Sequence, residues 1–217
     1  MLLSKMLYKP YCQSLTKNLS NMAFGLAMVT FSMPTQANET TLWRTGMAAT
    51  TAALYLTNAL GADIMTVDAG MGNQVYFLRY SARWLAEDNV RLSPYLSIRP
   101  SLQVGYSKWQ SDIDPDHSAT NNVIDLLPIF RWSGPWLPFV DYIDTGLGIS
   151  IFSSEQISGH KFGGPLQFND YIGFGWNFGR NDNWELSFRF QHYSNNDIYT
   201  DNNGINLPHL SFGYHYR

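Results

Sequence analysis

His192 and Ser194 stand two apart in the stretch Phe188-Arg189-Phe190-Gln191-His192-Tyr193-Ser194-Asn195. In an extended strand, side chains two apart point to the same side and are neighbours. A neutral imidazole beside a serine hydroxyl is the smallest apparatus that activates this weak nucleophile, because it takes the hydroxyl proton as the oxygen attacks. A third group must then fix the imidazole. Asn206 is placed to be that group. The segment Pro208-His209-Leu210-Ser211-Phe212-Gly213-Tyr214-His215-Tyr216 is apolar at even positions, and extending its phase backwards puts Asn206 on the face of His192 and Ser194. A hairpin through Asn195–Ile205 makes the two strands neighbours.

Which environment this face meets depends on the strands that carry it. Trp184, Leu186, Phe188 and Phe190 precede His192 at even positions, so the reactive pair continues an apolar series. The same period of two runs through the chain. From Leu92 to Tyr106 the even positions read Leu, Pro, Leu, Ile, Pro, Leu, Val, Tyr, while Arg91–Ser107 supplies polar and small residues between them. From Leu166 to Phe178 the even positions read Leu, Phe, Asp, Ile, Phe, Trp, Phe, with Gln167, Asn169, Tyr171, Gly173, Gly175, Asn177 and Gly179 as their odd neighbours. Gln74–Trp84, Ile124–Trp132, Phe139–Phe152, Trp184–Ser194 and Pro208–Tyr216 follow the rule less strictly, and Asp63–Gly70 supplies an eighth strand.

A soluble sandwich or a lipocalin-like carrier turns its apolar set inward, whereas a transmembrane barrel inverts the faces. Eight strands enclose only enough room for side chains. Arg79, Arg83, Arg99, Arg131, Glu185 and Arg189 lie on the polar face and are expected to fill that interior. Several segments reach the length a tilted membrane strand needs. Trp84, Trp109, Trp132, Trp136, Trp176 and Trp184 sit near strand ends, as interfacial girdles do. The fold expected is all-β: an eight-stranded antiparallel transmembrane β-barrel with a lipid-facing active site. Polar groups in such a lipid belt are functional candidates.

Lys5, Lys9 and Lys17 make a positive leader, an apolar run from Met22 to Met33 follows, and Pro34-Thr35-Gln36-Ala37 offers small residues for cleavage. Residues 1–37 are therefore expected to be a removable signal peptide, residues 38–61 an N-terminal segment without an assigned structure, and residues 62–217 the barrel. The only cysteine, Cys12, falls in the leader, so the exported chain must hold together without disulfides. With a formal net charge of −3 and no basic run interleaved with aromatics, nothing favours nucleic acid. Ser133–Leu137 and Arg180–Asn183 read as short turns. Gln110–Asn121, Ser153–Pro165 and Asn195–Ile205 read as longer loops, expected outside the cell, with the Ala86–Val90 connection in the periplasm.

His192-Tyr193-Ser194-Asn195, followed by Asn202-Asn203-Gly204-Ile205, resembles the signature of PagL-type lipid A 3-O-deacylases. Leu166-Gln167-Phe168-Asn169-Asp170-Tyr171-Ile172-Gly173 and Phe139…Asp144-Thr145-Gly146-Leu147-Gly148 are similar to segments of the same family. The resemblance covers most of the chain and weakens before Asp63. It implies an outer-membrane esterase that removes the 3-O-linked acyl chain of lipid A in lipopolysaccharide. It also implies His192 as general base, Ser194 as nucleophile, and Asn202 in an active-site loop where its side chain, or backbone N–H groups near Asn195, would bind the oxyanion. Asn206 stands where the family has a glutamate. An amide oxygen can accept a hydrogen bond from the imidazole but brings no charge, and Asp197 and Asp201 are further carboxylates in the intervening loop.

The remaining ionisable residues read more plainly. His209 and His215 have the inward phase. His117 and His160 lie in loops without a ligand partner at metal spacing. Asp112-Ile113-Asp114-Pro115-Asp116 resembles the start of a calcium loop but lacks its glycine and distal glutamate. No metal or cofactor is called for. The rival functions are a catalytically disabled outer-membrane barrel with a structural or lipid-binding role, and a periplasmic carrier, which the inverted faces disfavour.

Overall fold

In the computed structural model, residues 57–111 and 120–216 are described, together with Ala53. The leader at 1–37, most of the segment at 38–61, and Asp112, Asp114, Asp116 and His117 lie outside the described residues. Ahead of the barrel, Asn58 closes a tight turn: its side-chain amide donates to the Ala62 carbonyl, and its side-chain oxygen accepts from the Ala62 N–H, both at 3.0 Å.

The strands are β1 (Ile64–Gly72), β2 (Val75–Leu85), β3 (Val90–Ser93), β4 (Leu96–Gln110), β5 (Thr120–Ser133), β6 (Tyr142–Phe152), β7 (Gln156–Ile157), β8 (His160–Lys161), β9 (Leu166–Phe178), β10 (Trp184–Ser194) and β11 (Ile205–His215). The pairing order β2-β1-β11-β10-β9-β6-β5-β4, with β2 returning to β4, closes the sheet, and every pair is antiparallel. Closure leaves no edge, so each wall strand satisfies its backbone on both sides. No helix among the described residues is long and apolar enough to cross a membrane.

The faces are inverted as expected. Leu78, Ile124, Leu126, Phe130, Ile149, Ile172, Phe174, Phe188, Phe190, Leu210 and Phe212 project outward, each about two-fifths exposed or more. Arg79, Arg83, Arg189, Asp68, Asp144 and Glu185 are fully buried inside. Arg131 grips Asp144 through two hydrogen bonds (2.8 and 2.9 Å) and reaches Glu185 at 3.0 Å. Arg83 bonds Asp144 at 3.0 Å, Arg79 lies 3.1 Å from Asp125, and Arg189 bridges Asp68 (3.5 Å) and Glu185 (3.4 Å). The loop end is stoppered differently, by Val75, Phe77, Trp109, Phe152, Phe162, Tyr193, Ile205 and Leu207.

Some boundaries differ from those read in the sequence. The alternation across Leu92–Tyr106 is not one strand but the hairpin β3–β4, turned at Pro94-Tyr95. The turn pairs Ser93 with Leu96, and the register shift between Arg91 and Ser93 restores like-parity pairing at Arg91–Ser97 and Val90–Ile98, so the even-position pattern runs on. Phe139 is not in a strand; it lies in the turn before β6 and is 84% exposed. The last strand starts at Ile205 rather than Pro208, which brings Asn206 into it. Arg99 lies at the rim, lining a cavity of about 690 Å³ at the turn end with Asp63, Glu87, Arg131, Asp141 and His215. His209 and His215 do point inward and are buried.

The lipid face sets a test of the membrane reading. Leu126→Arg, midway along β5, is expected to lower unfolding stability in vesicles by about 2–4 kcal/mol, and Phe139→Arg at the turn end by under about 1 kcal/mol. Denaturant titration of the refolded barrel measures both.

Candidate active site

The site is built where β10 and β11 meet. Their register pairs His192 with Asn206. His192 Nδ1 lies 2.8 Å from Asn206 Oδ1. An amide oxygen can only accept, so Nδ1 carries the proton and Nε2 presents its lone pair. That is the tautomer a general base for serine needs. Ser194 is the last residue of β10, on the same outward face and half-buried like His192. Among the described residues its hydroxyl has no hydrogen-bond partner, and catalytic hydrogen bonds often tighten only when substrate is bound.

Between the two, Tyr193 points into the barrel and anchors the strand. Its hydroxyl accepts from Arg79 at 2.7 Å and donates to Asp125 at 3.3 Å. Its ring packs edge-on against Trp109, 5.0 Å between centroids. One inward residue thus fixes the strand that presents two outward ones.

The β10–β11 loop is held by its asparagines. Asn195 is buried, and its side-chain amide donates to the carbonyls of Phe162 (2.7 Å) and Asp201 (2.6 Å). Asn202 Oδ1 accepts the Asn195 backbone N–H at 2.9 Å, and Asn202 Nδ2 donates to Asp197 at 2.9 Å. The Asn195 N–H is therefore occupied, while Asn202 keeps one amide hydrogen. Asp197 is engaged with Asn202, and Asp201 enters the loop's bonding through its backbone carbonyl. Neither is bonded to the imidazole, so neither takes the place of the acid.

Three contributions were not legible from motif spacing. Asn73, in the β1–β2 turn, accepts the Asn206 backbone N–H at 3.2 Å. His160 belongs to the β7–β8 hairpin, and its Nδ1 bonds the Gly204 carbonyl at 3.1 Å. Gly204 has a φ of +54°, and a Cβ there would come within 3.1 Å of His192 Cε1 and 3.6 Å of Nε2. The glycine supplies both the left-handed backbone and the clearance for the imidazole. Its position beside His192 needed the loop path; only the turn chemistry of Asn202-Asn203-Gly204 hinted at it.

Residues 74–215 match the profile of the family described as lipid A 3-O-deacylase (PagL). The chain belongs to the PagL family. It is 32% identical over 123 residues to a lipid A deacylase PagL of Bordetella bronchiseptica, covering 56% of this chain and 64% of that protein. It is 25% identical over 158 residues to the lipid A deacylase PagL of Pseudomonas aeruginosa, covering 70% of this chain and 85% of that one. A crystal structure of the outer membrane enzyme PagL superposes with a TM-score of 0.60 at 21% identity, covering 70% of this chain and 99% of the other. The PagL barrel and the eight-stranded wall seen in this chain are the same fold.

Gly204→Ala tests the clearance around the imidazole. A non-glycine residue in left-handed backbone costs roughly 1–2 kcal/mol, and a shifted His192 is expected to lower kcat by about tenfold or more. Turnover of a lipid A ester by the folded variant reads this directly.

Proposed function

We propose that this protein is an outer-membrane esterase that removes the 3-O-linked acyl chain from lipid A. The observation that carries this reading is the 2.8 Å bond from His192 to Asn206, with Ser194 beside them on the lipid-facing side. Family membership supplies the substrate class. The long loops lie at the site's end of the barrel, which supports a reaction at the outer leaflet, where lipopolysaccharide resides.

Lipid A diffuses in the leaflet and brings its ester against the wall near Phe168, Phe190 and Pro208. His192 Nε2 takes the Ser194 hydroxyl proton while Oγ attacks the acyl carbonyl. The oxyanion is held by the remaining amide hydrogen of Asn202 and by backbone N–H groups of the loop following Asn195. The tetrahedral intermediate collapses, breaking the ester bond, and the sugar oxygen leaves with the proton held by His192. Water, deprotonated by His192, then hydrolyses the acyl-serine and releases the fatty acid. Asn206 holds the imidazole ring and tautomer throughout.

A second reading is a barrel that keeps the fold but has lost turnover. It is favoured by Asn206 itself, since in a serine protease the Asp→Asn change costs about 10⁴ in kcat. Mass spectrometry of lipid A from cells expressing the protein separates the two. Loss of one 3-hydroxyacyl chain with wild type, and its absence with Ser194→Ala, is the expected result. Unchanged lipid A in the presence of folded wild type would overturn the esterase reading. Activity confined to Asn206→Glu would identify a disabled esterase.

A further inference from the structure

At the level of the imidazole, one row of outward-facing positions crosses the wall. Leu147 on β6 pairs with Asp170 on β9, Asp170 with His192 on β10, and His192 with Asn206 on β11. Asp170 interrupts the outward series Phe168, Ile172, Phe174, Trp176 and Phe178 with an exposed carboxylate. Among the described residues it forms neither an ion pair nor a hydrogen bond. A charge on a lipid-facing surface is unfavourable unless something compensates it. Its neighbours in the row are Leu147, which is apolar, and His192. Directly opposed side chains on one sheet face have Cβ atoms about 4.5–5.5 Å apart.

Asn206 bonds the imidazole but has no charge to offer when the ring becomes imidazolium. We propose that Asp170 supplies that charge from the other side of His192, so that orientation comes from β11 and electrostatic stabilisation from β9. This rests on the esterase reading of the site. Asp170 acts through His192 and is a positioning residue. No proton passes to it: Nδ1–H stays on Asn206, and Nε2 exchanges its proton with Ser194 and the leaving oxygen. The other charged or titratable groups around the ring are His160, bound to the Gly204 carbonyl, Asp197, bound to Asn202, and Lys161 and Asp201 in the adjoining loops. Asp170 is the carboxylate that shares the face and the register of His192.

A carboxylate opposed to the ring compensates a positive charge on it, so neutralising Asp170 destabilises the imidazolium formed during attack. Asp170→Asn is therefore expected to lower kcat on lipid A in mixed micelles by about tenfold or more and to move the acid limb of kcat/KM to lower pH. Asp170→Glu should retain most of the rate. In an Asn206→Glu background, where a carboxylate already sits on Nδ1, the same Asp170→Asn change should cost less than about threefold, a non-additivity that contacts sharing one partner produce. Equal losses in both backgrounds with an unmoved acid limb, or no loss at all, would overturn the proposal. Proton titration of the His192 ring by NMR, in protein refolded in detergent, needs no turnover. A midpoint that falls in Asp170→Asn supports the charge assignment even if wild type proves inactive, and an unchanged midpoint sinks it.

Discussion

The bilayer interior offers the backbone no hydrogen-bond partner, and every other feature of this molecule follows from that constraint. An open sheet would leave two strands with unpaired N–H and C=O groups in hydrocarbon, so the wall must close on itself. Closure between β2 and β4 fixes each strand's neighbours on both sides. Once the neighbours are fixed, the pleat decides which side chains meet lipid and which meet one another inside. His192, Ser194 and Asn206 meet lipid because they share the phase of Phe190, Pro208 and Leu210. No local preference of a serine or histidine for hydrocarbon is involved; the parity of the strand carries them there.

The interior then has to be filled by polar side chains that compensate one another. Arg79, Arg83, Arg131 and Arg189 are interleaved with Asp68, Asp125, Asp144 and Glu185, and His215 bonds Glu185 at 3.0 Å. Buried pairs of this kind are weak evidence for net stability, because desolvating the ions offsets much of their attraction. Their consequence is specificity: an arginine left without its carboxylate is strongly unfavourable, so a strand slipped by one residue is excluded twice, by lipid outside and by unmatched charge inside. Tyr193 couples this network to the site. It is held by Arg79 and Asp125, and it lies between the two residues that face the membrane.

This division explains what could be read from the sequence. Parity alone identified the faces, the interior arginines, the inward histidines and the alignment of His192, Ser194 and Asn206. It failed where geometry changes without disturbing parity. Pro94-Tyr95 turns the chain while the even positions stay apolar, and Phe139 continues the phase of β6 although it lies outside the strand. Contacts that depend on a neighbour distant in sequence were also hidden. Asn73 meets Asn206 across 133 positions, and Asp170 comes opposite His192 only through the β9–β10 register. Asp197 and Asp201 are nearer to His192 in sequence, yet the loop turns Asp197 onto Asn202.

Ser194 occupies the last position of β10, and the place of that residue along the barrel matters as much as its face. In the proposed reaction, an ester embedded in a leaflet would have to reach Ser194 from the hydrocarbon side, while an acyl-enzyme would be cleared only by water. A serine in the middle of the wall would have the first without the second; one in the loop would have the reverse. At the strand end, Phe168 stands opposite it on β9, and the asparagine-rich loop begins with the next residue. That loop is tied down by Asn195, Asn202 and Asp197 and braced by His160 and Phe162 of the β7–β8 region. A loop so fixed can hold donors and solvent in place without drawing the His192 and Ser194 side chains out of the wall. The site therefore belongs to the boundary between lipid and water, where both reactants of an ester hydrolysis can arrive.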